Sequence, residues 1–182
     1  MTAIIIIVVL VFLVVWIVGV QRNLVSQEEL VKNALSQIGV QQSSRWDALT
    51  ALVELVKSYN EHEYNTLRDV IAARRTITGE SSVADANEQE AKLTSALKQI
   101  NVVAEQYPDL KANENYAKAM DAVNTYENQV RTSRMVYNDT VTKYNKLIRQ
   151  IPECFVASLL HFTAKEYFNV EEQKTSMPSM KI

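Results

Sequence analysis

From Ala3 to Val20 every position is apolar or glycine, and no charged side chain occurs before Arg22. The run has no polar face, and its length is about what a helix needs to cross a bilayer core. Past Gln21 the pattern changes: apolar residues recur in steps of three and four, the spacing of helices packed along one face. The longest series is Tyr116, Met120, Val123, Glu127, Val130, Arg134, Tyr137, Val141, Tyr144, Ile148 and Ile151, which predicts one helix near 112–150. Leu93, Leu97, Ile100, Ala104 and Tyr107 predict a shorter one. Leu49, Leu52, Val56, Tyr59, Glu63 and Val70 predict another, and Leu24, Val31, Leu35 and Ile38 a fourth. The expected fold is all-α: an N-terminal transmembrane helix followed by an antiparallel up-and-down helical bundle.

Caps and breakers place the boundaries. Gly79 suits the left-handed residue after a helix, Asp85 to Glu88 has capping-box spacing, and Pro108 and Pro152 stop the helices before them. The open boundary lies between Ile38 and Leu49. An unbroken helix there would carry Gln42 and Arg45 on its buried seam. Gly39, the Ser43-Ser44 pair and the capping spacing from Ser44 to Asp47 favour a turn instead, hence four helices over three. With four, the long last helix returns toward the membrane; with three, it points away. The chain divides into an anchor (1–20), a bundle (21–152), an apolar segment (153–169) and a polar tail (170–182). Within 153–162, Phe155, Val156, Leu159, Leu160 and Phe162 are too few to span a bilayer. They either close the end of the core or, through Phe155, Leu159, Leu160 and Phe162, lie at the lipid interface.

A cleaved signal peptide would have a basic start, a shorter apolar core and a small-x-small exit. None of these is present, so the anchor is expected to be retained. Arg22 and Lys32, diluted by Glu28 and Glu29, place the C-terminal domain in the cytoplasm by charge bias. Cys154 is the single cysteine, which excludes an internal disulfide. A net charge of −2 with 22% charged residues gives no basic excess for nucleic acid.

Enzymatic constellations fail one at a time. Thr66 stands four after His62 where a zinc-binding helix needs a second histidine, and neither His62 nor His161 follows a glutamate by three. Cys154 has no Lys, Arg or His nearby in sequence to activate it, and the three glycines are isolated. No catalytic, cofactor or metal site is therefore expected. The seam itself carries Glu63, Glu127 and Arg134. A buried charge demands a partner, so Arg134 is expected to meet Glu63 or Glu127 across helices and fix the bundle register, with a polar binding site inside the bundle as the alternative. Tyr137-Asn138 and Tyr144-Asn145 repeat at seven residues and line one face, either as core architecture or as an interaction face for a peptide or partner helix.

Two blocks carry a resemblance. The first runs from Asn33 to Ile38, through Arg45-Trp46-Asp47, to Val53–Tyr59 with Glu61-His62-Glu63. The second is Ala104–Asn115, followed by Tyr126-Glu127-Asn128, Arg134, Tyr137-Asn138, Tyr144-Asn145 and Pro152. Together they resemble the LemA family of bacterial membrane proteins over nearly the whole chain. Leu35, Thr50, Ser58 and His161 depart from it, standing where Trp, Pro, Gly and Gly are usual. The resemblance implies an up-and-down bundle on one membrane anchor in the bacterial cell membrane, with no established enzymatic activity. Relatives are often encoded beside membrane-bound zinc metalloproteases, which implies a membrane metalloprotease system as a partner class. The expected function is a non-enzymatic interaction or adaptor module, or alternatively a self-assembling, membrane-associated structural protein that forms homo-oligomers.

Overall fold

The computed structural model describes residues 1–169, and the polar tail expected at 170–182 lies outside them. Among the described residues six helices follow one another: α1 (Thr2–Lys57), α2 (Glu61–Ala72), α3 (Val83–Gln106), α4 (Pro108–Lys111), α5 (Glu114–Leu147) and α6 (Glu153–Leu159). α1 is the spine, and α2, α3, α5 and α6 all pack on it, α5 most extensively. Its N-terminal stretch, Ile4 to Val15, is bare of protein contacts and fully apolar, and by length and composition α1 can cross a membrane. Packing begins at Trp16 and Ile17 and continues to Val56.

The expected turn near Ser44 is absent. α1 runs through it with Gln42 and Arg45 buried on the seam, so Leu35, Ile38, Gln42, Arg45, Leu49, Leu52 and Val56 form one uninterrupted 3-4 series. The chain turns instead at Ser58 to Asn60, where the Asn60 side chain accepts hydrogen bonds from the backbone N–H groups of His62 (2.9 Å) and Glu63 (3.2 Å). That N-cap satisfies donors the first turn of α2 would otherwise leave open. The segment Leu49–Val70, read above as one helix, is therefore two antiparallel pieces. Moving the turn leaves the parity intact: α1 rises from the anchor, α2 descends, α3 rises and α5 descends.

Two further boundaries differ from expectation. The capping box of α3 is built by Ser82 and Asp85, three residues before the expected one: Ser82 Oγ accepts from Asp85 N–H at 3.0 Å, and the Asp85 carboxylate accepts from Ser82 N–H at 2.9 Å. The Ser82 hydroxyl, which donates to the Asp85 carboxylate at 2.6 Å, and then the Ser82 N–H hold that carboxyl below its ordinary pKa. Gly79 does not adopt a left-handed conformation. It lets the 73–82 connection lie against α1, because a Cβ there would sit 2.9 Å from the Lys32 carbonyl oxygen.

The core has two main apolar layers and a third at the base. The distal layer joins Trp46, Leu49, Leu52 and Val56 to Leu67, Leu93, Ile100, Val103, Leu110 and Val123. The proximal layer joins Val31, Leu35 and Ile38 to Ile77, Ala86, Tyr137, Val141, Tyr144 and Phe168. At the base, Val20 and Leu24 meet Val156 and Ala157 of α6.

Candidate functional site

Between the distal and proximal layers lies a polar stratum that the helix periodicity forces inward. Arg45 is 2% exposed, and its guanidinium spans two helices: Nη1 pairs with Glu90 of α3, and Nη2 donates to Glu127 Oε2 of α5 at 2.8 Å. Gln42, one turn away, donates to the Ala86 carbonyl (2.9 Å) and to Glu90 Oε2 (3.2 Å). Gln89, equally buried, accepts from the Arg75 backbone N–H at 2.9 Å and ties the 73–82 connection to α3. A planar guanidinium can address two carboxylates at once, which a single ammonium cannot do with the same geometry. The stratum therefore fixes the mutual register of α1, α3 and α5.

Arg134 is expected above to meet Glu63 or Glu127 across helices; in the structure the arginine that reaches Glu127 from another helix is Arg45. Arg134 instead donates to Asn87 Oδ1 at 3.4 Å and stacks over the Phe168 ring at 5.0 Å. Glu63 sits half-buried in the first turn of α2, at the other end of the bundle from the proximal layer that holds Phe168. Of the three seam charges only Glu127 enters the ion network. Gln42 and Arg45 escape the sequence reading because their polarity counts against a continuous seam, although the unbroken 3-4 series from Leu35 to Val56 reveals them; nothing in the sequence singles out Glu90.

The Tyr-Asn face is not open to a partner, because the chain's own segment 165–168 lies along it in extended form. The Asn145 side chain donates to the Lys165 carbonyl and accepts from the Lys165 N–H, both at 2.9 Å. Asn138 does the same for Phe168, again at 2.9 Å twice. A carboxamide carries a donor and an acceptor side by side, so each Asn satisfies one residue's backbone completely. The spacing matches: seven helical residues advance about 10.5 Å, and three extended residues about 10 Å. Tyr137 donates to the Glu166 carbonyl at 3.1 Å and meets the Phe168 ring edge-on at 5.0 Å. The Lys165 ammonium reaches Glu28 at 2.5 Å. Tyr144 lies fully buried beneath, and desolvation together with the nearby Glu28 charge pushes its phenol pKa up to about 12.

Clamping of this kind makes a measurable prediction. Each of the four bonds contributes about 1 kcal/mol, so Asn138→Ala and Asn145→Ala are each expected to raise amide exchange at Lys165 and Phe168 about tenfold or more. Limited trypsin cleavage after Lys165 should accelerate in parallel. Unchanged exchange in the double variant would mean that the aromatic contacts of Phe168 hold the segment alone.

The third group of sequence candidates falls on α6 (Phe155, Leu159) and just past its end (Leu160, Phe162). Phe155, Leu159 and Leu160 are exposed and Phe162 is half-buried, while Val156 and Ala157 face the core. The segment therefore both closes the base and presents an apolar outer face.

Comparison with known proteins follows the same geometry. Over 132 residues the chain is 24% identical to Protein LemA of Metamycoplasma hominis, an alignment covering 72% of this chain and 60% of that protein. The chain thus spans well under the full length of the relative it resembles. The LemA family pattern matches residues 34–182, a stretch holding the charged stratum, the asparagine clamp and α6, and on that match the chain belongs to the LemA family.

Proposed function

We propose that this protein is a membrane-tethered, non-enzymatic interaction module that presents a helical bundle at a fixed height above the bilayer, on the cytoplasmic side. The observation that carries the reading is α1: one helix of 56 residues contains both the apolar span and the bundle's spine, with no Pro at the exit and Gly19 inside the helix. Residues 21–57 rise roughly 55 Å along that axis. An adaptor needs its surface held in place relative to lipid-embedded partners, and a helix that continues from the span into the core supplies this without a hinge. The charge bias of Arg22 and Lys32 supports the cytoplasmic side. A membrane metalloprotease system is the partner class in this proposal, on the strength of the family resemblance.

Proximity labelling in intact cells, with the labelling enzyme inserted at the tip loop between α4 and α5, tests the proposal. The expected result is a defined set of cytoplasmic and membrane protein neighbours that vanishes when the same enzyme is fused to residues 1–20 alone. Identical neighbours in both fusions would remove the adaptor role, and neighbours consisting only of further copies of the chain would favour self-assembly.

A further inference from the structure

The outer face of α6 and the turns on either side of it expose Ile151 (77%), Phe155 (67%), Leu159 (67%) and Leu160 (41%). Four large apolar side chains bared on so short a stretch are unusual unless something covers them. Their position says what does. The inner face of α6, Val156 and Ala157, packs on Val20 and Leu24, with Trp16 and Ile17 alongside. α6 is thereby pinned beside the point where the apolar run of α1 ends. The naked span, Ile4 to Val15, ends just before these contacts in α1. Arg22, between Val20 and Leu24 in the chain, and Lys146 and Arg149, just ahead of Ile151, are exposed cations.

We propose that the outer face of α6 inserts into the headgroup–acyl boundary of the same bilayer that α1 crosses, giving the bundle a second membrane contact. The inference rests on the membrane-tethered reading and adds the lipid surface as the occupant of this face. Seven helical residues cannot span, so α6 lies in the interface. Trp16 sits at the matching depth, where indole rings collect, and the neighbouring cations face the phosphates. A second copy or a partner helix placed on this face would have to sit in the same zone that the span already commits to lipid. The consequence is rotational: a single helix leaves the bundle free to spin and tilt, whereas two contacts fix which face looks along the membrane.

The test uses the full chain in vesicles of phosphatidylethanolamine and phosphatidylglycerol. In a Cys154→Ser background, single cysteines are placed at Leu159, at Val14 in the span and at Met135 on the exposed side of α5. Each is labelled with an environment-sensitive fluorophore and quenched by spin-labelled lipids. Quenching at position 159 by headgroup-proximal spin labels, at least fivefold above that at 135, is the expected result. Quenching at 14 without quenching at 159 would overturn the second contact and leave the tether standing. No quenching at either position would overturn both. Disulfide-linked dimers through position 159, unquenched by lipid, would assign the face to a second copy and sink the inference. A companion variant, Phe155→Glu/Leu159→Glu, should float with vesicles through α1 while a label at Ser158→Cys loses its quenching. Far-ultraviolet circular dichroism checks that the companion variant remains folded.

Discussion

Arg45→Met is expected to cost about 3–5 kcal/mol of stability. Removing the guanidinium leaves Glu90, with its side chain 15% exposed, facing an apolar methionine where its counter-charge stood, whereas Glu127, 34% exposed, keeps Arg131 at 3.7 Å. The cost lies in the uncompensated buried charge more than in the lost attraction. In detergent-solubilised full-length protein this corresponds to a fall in Tm of about 10 °C. Arg45→Lys should recover only part of the loss, because one ammonium cannot reproduce a fork across two helices. The combination Arg45→Met/Glu90→Gln/Glu127→Met should recover most of it, since replacing a buried ion network with apolar groups of similar volume is often neutral. A single variant within about 2 °C of the parent would show that water already screens the stratum and would end the argument for register control.

Gly39→Ala should also destabilise, and here the sign itself is informative. Alanine inside a helix ordinarily gains about 1 kcal/mol over glycine. At position 39 its Cβ would stand 2.0 Å from the Ile77 carbonyl oxygen and 2.8 Å from the carbonyl carbon, where backbone has no rotamer to yield. Overpacking of this kind costs about 1–3 kcal/mol and sometimes more, and because the clash is with backbone the upper end applies, so that a net loss of up to about 2 kcal/mol is expected after the helix gain. The loss should come with detachment of the 73–82 connection and increased exchange at Ile77. Gly19 is the internal control: no atom lies within 4 Å of a Cβ built there, so Gly19→Ala should be neutral or stabilising. If Gly39→Ala and Gly19→Ala behave alike, the close crossing of the connection over α1 does not hold in solution.

Much of the fold is legible in the residues themselves. The 3-4 series of α5 gives a helix from Glu114 to Leu147 almost unaided, and Pro108 marks the end of α3. The true turn had a local signature too: Asn60 followed by Glu63 is a cap-and-acid pair at the right spacing. It competed with Gly39, Ser43 and Ser44, which look more like breakers but lie within α1. The Tyr-Asn repeat was visible, yet its occupant was not, because nothing in Asn138 or Asn145 announces a bond to backbone 30 or 20 residues further on.

The sequence alone determined what depends on near neighbours: an apolar run long enough for lipid, helices rather than strands, and the stops where proline removes a donor. Tertiary structure decided where the chain reverses. Arg45 can continue a buried seam only if carboxylates wait for it, and those come from residues 45 and 82 positions away. A buried charge without them would break the helix; with them it becomes the layer that aligns three helices. That condition is non-local, so only the assembled bundle could meet it.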